Sequence, residues 1–354
     1  MGRVLALVAG LAVVAWALAL PDPARPQAGP VSAPISVAPT WTPPVTVDIA
    51  GVLSDGSAYT PRLYLAADTS VGVATAPDGT VRVVLARAAG TVTPLHSRAA
   101  ADNVQVNGFA VDGDTLVWME TVTRAGYQPA TSLWRSTWTG DATAAQVTSY
   151  TNDPVFAGYS TDVALGGGLV RWTAAEGDTA TQLWSVPVGG GEASYQSIDG
   201  DYRLSTLPWL VSANSGPGAS VTLYNLDTGV QVPLAPGPTE AAVCDPTWCR
   251  VTVTGDGGLV GIDMMHPDGS QRRRIAGSKS TPTVADPTLL GRYVPLATDR
   301  AGGVGLELYD LTTGQTQLVA ERASGVAGRG GVLWWSTGVG AALAWHALDL
   351  AALA

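Results

Sequence analysis

At 354 residues and 46% hydrophobic content the chain has ample material for a folded core, which excludes disorder throughout. Charged residues make up only 14%, and 42 Gly, 24 Pro and 12 Trp against 2 Phe favour many short strands joined by turns over long charged helices. A net charge of −10 with no long basic stripe argues against a nucleic-acid partner, because that affinity rests on clustered Lys and Arg.

Met1-Gly2-Arg3 precedes VLALVAGLAVVAWALAL (4–20), an uncharged run in which Ala17-Leu18-Ala19 offers small residues at the spacing signal peptidases accept. Residues 1–20 read as an export signal, either cleaved or kept as a signal-anchor with Arg3 inside, since the run sits at the short limit for a bilayer span. An extracytoplasmic body is expected, secreted or anchored. No Cys lies near the end of the run, so lipid modification there is not supported. Residues 21–44, PDPARPQAGPVSAPISVAPTWTPP, are Pro-rich and aperiodic, as in an extended linker. The remainder, 45–354, reads as one domain.

That domain repeats itself. After VTVDIAGV (45–52), a strand with no hairpin of its own, a faint first copy spans 71–95, with Pro-Asp-Gly as its turn. Strand cores then recur as LVWMET (116–121), LVRWTA (169–174), WLVSAN (209–214), CRVTVT (249–254), YVPLAT (293–298) and VLWWST (332–337). Each is followed by a second strand: SLWRSTWT (132–139), TQLWSVPV (181–188), VTLYNLD (221–227), LVGIDMM (259–265), LELYDL (306–311) and LAWHALDL (343–350). Outermost strands read AQVTS, ASYQSI, VQVPLA, QRRRIA and TQLVA. Three or four antiparallel strands repeated at this interval are what a β-propeller blade requires. A lone sheet of this kind exposes two apolar faces, and stacking blades around an axis buries both. The all-β chain is therefore expected to be a propeller, with seven blades of about 42 residues fitting best and six as the alternative. The last unit ends before any outer strand, so 45–52 is expected to supply it and close the ring. The Thr-Gly pairs at 228–229 and 313–314 sit where an outer hairpin needs a residue tolerant of positive φ.

The only cysteines, Cys244 and Cys249, flank Asp-Pro in AAVCDPTWCRVTV. In an exported chain this spacing points to a structural disulfide across a hairpin mouth, and a metal site would need two further ligands that no Cys remains to supply.

The LYxLD-TG and LW hairpin cores resemble TolB-like propeller repeats of exported bacterial proteins over roughly 45–354, and the resemblance implies a binding or assembly module. LYNLDTG is also similar to the quinoprotein-type repeat, but the Trp closing that repeat is missing, with Val232 and Gln317 near its place. No cofactor and no metal site is expected.

Candidates for chemistry are scattered. His96, His266 and His346 form no metal-type pair, no G-x-S-x-G or phosphate loop occurs, and the Gly runs at 166–168 and 189–191 fall at turns. Asp112, Asp114, Asp153, Asp162, Asp199, Asp201, Asp245 and Asp286 lie near inferred blade ends, where loops can converge on the axis; as turn formers they would bond their own backbone. Trp118, Trp134, Trp172, Trp184, Trp334 and Trp345 read as filler between blades, and Trp138, Trp209 and Trp248, nearer strand ends, as candidate stacking platforms. Arg272, Arg273 and Arg274, the one basic run, read as a charged sheet edge. The expected function is a non-enzymatic, monomeric module that binds a protein or cell-envelope component through loops on one face, meeting the membrane only through a retained N-terminal anchor. The alternative is a carbohydrate-active lyase or hydrolase using face carboxylates and Trp.

Overall fold

Strands that are apolar on both faces need cover on both, and this chain supplies it by setting seven four-stranded antiparallel sheets side by side. The computed structural model describes residues 46–353 apart from 141, 142, 178 and 215. The expected signal segment and linker lie outside the described residues.

After β1 (Val47–Ala50), blade 1 holds β2 (Ala58–Ala66), β3 (Thr69–Thr75), β4 (Val81–Arg87) and β5 (Val92–Arg98). Blade 2 holds β6 (Val104–Asp112), β7 (Thr115–Val122), β8 (Ala130–Thr137) and β9 (Ala145–Thr148). Blade 3 holds β10 (Val163–Gly166), β11 (Leu169–Glu176), β12 (Ala180–Pro187) and β13 (Ser194–Asp199). Blade 4 holds β14 (Tyr202–Leu204), β15 (Trp209–Ser212), β16 (Val221–Asn225) and β17 (Gln231–Leu234). Blade 5 holds β18 (Glu240–Cys244), β19 (Cys249–Gly255), β20 (Gly258–Met265) and β21 (Arg273–Gly277). Blade 6 holds β22 (Ser280–Pro282), β23 (Tyr293–Arg300), β24 (Gly303–Asp310) and β25 (Gln315–Ala320). Blade 7 holds β26 (Ser324–Arg329), β27 (Val332–Thr337) and β28 (Ala344–Asp349). The first strands of neighbouring blades lie against one another, β2 with β6 and β26, and β6 with β10, so they form the inner wall of the ring.

The period-2 geometry of a strand splits each core between two neighbours. In β7, Leu116 and Trp118 enter the core shared with blade 1, and Val117 and Met119 the core shared with blade 3. In β27, Val332 and Trp334 face blade 1, whereas Leu333 and Trp335 face blade 6. Trp118, Trp172, Trp184, Trp334 and Trp345 are all buried, as their strand positions predict; each buried ring removes about 150–250 Å² from water. Trp134 is half-buried against the blade 1–2 core.

Closure follows the predicted route. β1 pairs antiparallel with β28, placing Val47 opposite Ala347 and Ile49 opposite Trp345, so the N-terminal segment is the fourth strand of blade 7. His346 Nδ1 donates to Asp48 Oδ1 at 2.7 Å across this seam. The repeated stretches are outer hairpins, β16–β17 and β24–β25, and both use the same turn. Asn225 and Asp310 each accept from the backbone N–H three and two residues on, respectively, and Gly229 and Gly314 close the turns at φ 69° and 70°.

Candidate functional site

The inner wall is not continuous. In blade 3 Pro154 bridges to Ala174 and the Val155 N–H donates to Thr173 O at 2.9 Å, yet the next rung of that wall is Val163 opposite Trp172. Residues 156–162, FAGYSTD, leave the strand between those rungs and cross the axis. Their contacts show the crossing: the Ser160 N–H donates to Asp286 Oδ2 of blade 6 at 3.1 Å, and Thr161 Oγ1 donates to Leu204 O of blade 4 at 2.8 Å. From blade 7, Arg329 Nη2 reaches Val163 O at 3.4 Å.

Beside this loop lies a cavity of about 300 Å³, at the end where first-to-second-strand turns of blades 4 to 7 meet. Its wall includes Arg203, Asp245, Asp286, Thr288 and Arg329, with Thr206 and Leu290 toward the surface. Arg203, the central residue of β14, is only 9% exposed, and its guanidinium carbon lies 3.5 Å from the centre of the Tyr159 ring. Among the described residues no carboxylate oxygen comes within 4.0 Å of Arg203, Arg250 or Arg329. Arg250 is committed to backbone carbonyls, Asp286 O at 2.5 Å and Ala285 O at 3.1 Å. Burial lowers the pKa of all three arginines, to about 10 for Arg250 and Arg329, while the nearby Asp286 charge opposes it in each.

The acidic partners are equally desolvated. Burial pushes the carboxyls of Asp162, Asp245 and Asp286 up, against the pull of backbone N–H bonds: Ala157 and Gly158 donate to Asp162 Oδ2 at 2.9 and 2.8 Å, and Thr247 and Trp248 donate to Asp245 Oδ1, both at 2.7 Å. The three arginines and three aspartates therefore share one poorly solvated neighbourhood without direct pairing. Such a set can orient a charged ligand.

Of the eight aspartates singled out by sequence, Asp162, Asp245 and Asp286 converge here, and Asp112, Asp114, Asp153, Asp199 and Asp201 stay exposed. Cys244 and Cys249 are bonded, opposite each other in the β18–β19 hairpin with Cα atoms 4.0 Å apart, and Cys244 also lines the cavity. The stacking platforms do not materialise. Trp138 and Trp248 are half-buried with indole N–H groups tied to Gly113 O and Gly291 O, both at 2.9 Å, and Trp209 packs on the blade 4–5 core. The basic run is less free than its sequence reads, since Arg272 and Arg274 pair with buried Asp263 and Arg273 lies over the Tyr309 ring at 5.8 Å. His96 packs on Trp134 at 4.1 Å beside buried Glu120, which also accepts from Arg98 and Trp118, and His266 stacks on Trp248 at 4.4 Å. Among the described residues no group of three or more His, Cys, Asp or Glu is placed to hold a metal ion.

Sequence reasoning passed over Tyr159, Arg203, Arg250 and Arg329. The available signal was the arginine inside the strand core CRVTVT, for Arg250; Tyr159, Arg203 and Arg329 lie outside the strand cores read from the sequence.

No protein-family model matches the chain, and no curated protein does. Among solved structures it is similar to an acylaminoacyl peptidase in complex with Z-Gly-Gly-Phe-chloromethyl ketone, at 12% identity and TM-score 0.52, covering 79% of this chain and 49% of that one. The chain thus spans about half the length of that enzyme. It is also similar to the β-propeller domain of the Trilobed protease from Pyrococcus furiosus, at 10% identity and TM-score 0.50 over 83% and 95% of the two chains. That domain has an open velcro topology, in contrast to the β1–β28 closure here. A putative TolB from Agrobacterium tumefaciens aligns at 16% identity and TM-score 0.39 over 65% of this chain and 84% of that one. At these identities the likeness is one of fold alone. The class defined by fold and site is a seven-bladed β-propeller with a charged axial cavity.

Proposed function

We propose that the chain is an extracytoplasmic binding module that takes a protein or cell-envelope component at the face where its axial cavity opens. The observation that carries this reading is the cavity itself: buried Arg203 and half-buried Asp245, Asp286 and Arg329, which form no ion pair with one another, line a space large enough for part of a ligand. The apolar segment at 4–20 and the Cys244–Cys249 bond support export. Binding is favoured over turnover because the carboxylates at the axis already hold backbone N–H groups, Asp162 and Asp245 within their own loops and Asp286 on the crossing loop.

Their raised pKa values favour a second reading, a carbohydrate-active lyase or hydrolase. One experiment separates the two. Labelled full chain is titrated onto isolated bacterial cell walls and membrane fractions, beside Thr206→Arg and Leu290→Arg at the cavity mouth, and is incubated with polysaccharides while product is followed. Saturable binding weakened at least tenfold by either substitution, without product, supports the module. Product release abolished by Asp162→Asn, Asp245→Asn or Asp286→Asn, or binding that does not saturate, overturns it.

A further inference from the structure

We infer that the axial cavity is a built site for a small monocarboxylate ligand, gripped along the edge of the Arg203 guanidinium. The inference rests on the binding-module reading and deepens it. Arg203 is nine-tenths buried, its guanidinium makes no hydrogen bond among the described residues, and its nitrogens are not among the fully enclosed ones, so they open on the cavity that Arg203 lines. A buried cation left this way is costly unless something outside the chain supplies the missing acceptors. Tyr159 covers one face of the guanidinium at 3.5 Å, which leaves the in-plane N–H fork as the approach from the cavity. Two oxygens of a carboxylate match that fork.

The surroundings narrow the ligand further. Arg250 gives two of its five N–H donors to backbone carbonyls and does not line the cavity, whereas Arg329 is on the cavity wall, makes a single long bond and can add a second positive charge. Asp245 and Asp286 stand on the same wall and Asp162 lies close by, and their charges oppose a doubly charged anion about twice as strongly as a singly charged one. Thr288 Oγ1, buried on the cavity wall and without a hydrogen-bond partner, offers a hydroxyl to a second polar group of the ligand. About 300 Å³ accommodates something of dipeptide or hexuronic-acid size.

The test is isothermal titration calorimetry of the full chain with N-acetylglycylglycine and with D-glucuronate, against N-acetylglycylglycinamide, D-glucose and inorganic phosphate. At least one acid should bind saturably at one site, its uncharged counterpart and phosphate at least tenfold more weakly. Binding of the dipeptide acid alone assigns a chain terminus as the source of the carboxylate, binding of glucuronate alone a sugar acid, and both the shared group. Arg203→Met should weaken the bound acid at least tenfold without lowering the melting temperature, and Arg203→Lys, which keeps the charge but loses the fork, should also weaken it. The inference fails if neither acid saturates, if phosphate or the uncharged analogue binds as well, or if Arg203→Met binds like the parent. Loss of acid binding while envelope binding persists sinks this inference alone; loss of both sinks the module reading too.

Discussion

The guanidinium carbon of Arg203 sits over the Tyr159 ring, 3.5 Å from its centre, joining the inner strand of blade 4 to a loop that leaves blade 3. Sequence neighbours do not create this pairing; the interruption of the blade 3 wall between Val155 and Val163 does. The stack satisfies one face of the cation and none of its N–H donors. Replacing Arg203 by Met should therefore stabilise the unliganded protein, because a buried charge without acceptors costs more than the stack returns. A rise of about 2 °C in melting temperature is expected by scanning calorimetry. A fall of several degrees would show that Arg203 is a structural residue.

Ring closure depends on β1. Ile49 is buried among Trp334, Trp345 and Tyr59, where blade 7 meets blade 1. Ile49→Ala should cost about 3 kcal/mol in denaturant unfolding, and deletion of residues 46–50 should cost more, since it also exposes the edge of β28. Unchanged stability after that deletion would contradict a closed ring.

Acid stability should show one carboxylate clearly. Burial pushes the Asp310 carboxyl up, but Arg292, the Thr312 N–H and the Thr313 hydroxyl outweigh it and hold the pKa at about 2, below the ordinary 3.8. A depressed folded-state pKa contributes stability that is whole above the unfolded value and is lost as pH falls through the folded one. The stability difference between parent and Asp310→Asn should stay constant from about pH 7 to 5 and shrink between about pH 4 and 2. Asp162, Asp245 and Asp286, with raised pKa values, act in the opposite sense, and the paired comparison cancels them. A difference that stays flat down to pH 2 would refute the assignment.

The Cys244–Cys249 bond closes a short hairpin whose turn carries Asp245 to the cavity. The double Cys244→Ser/Cys249→Ser variant should lose roughly 2 kcal/mol, and its binding at the cavity should weaken more than stability alone explains, because the turn is freer. Equal binding by reduced and oxidised protein would separate the disulfide from the site.

The blades were legible because their middle strands are apolar on both faces, so LVWMET or VLWWST can only sit between two neighbours. Outer hairpins showed through the Thr-Gly turns, and the closing strand through a missing partner. Inner strands did not show: β14 and β22 are three residues long, too short for any period, and β14 carries Arg203 at its centre. The site was half-visible for the same reason. Asp162, Asp245 and Asp286 stand out as turn residues, but only the fold decides that these three, and not Asp112 or Asp199, meet at the axis. Trp138 and Trp248 misled because the carbonyls that hold their indole N–H groups, those of Gly113 and Gly291, are remote in sequence.

The most direct test of the whole account is a crystal structure of the full chain soaked with whichever acid binds. The ring should be closed by β1, with both carboxylate oxygens within hydrogen-bond distance of the Arg203 guanidinium and Tyr159 still stacked behind it. Arg203 swung onto Asp245 or Asp286 as an ion pair, with the cavity shut and the acid absent, would contradict it.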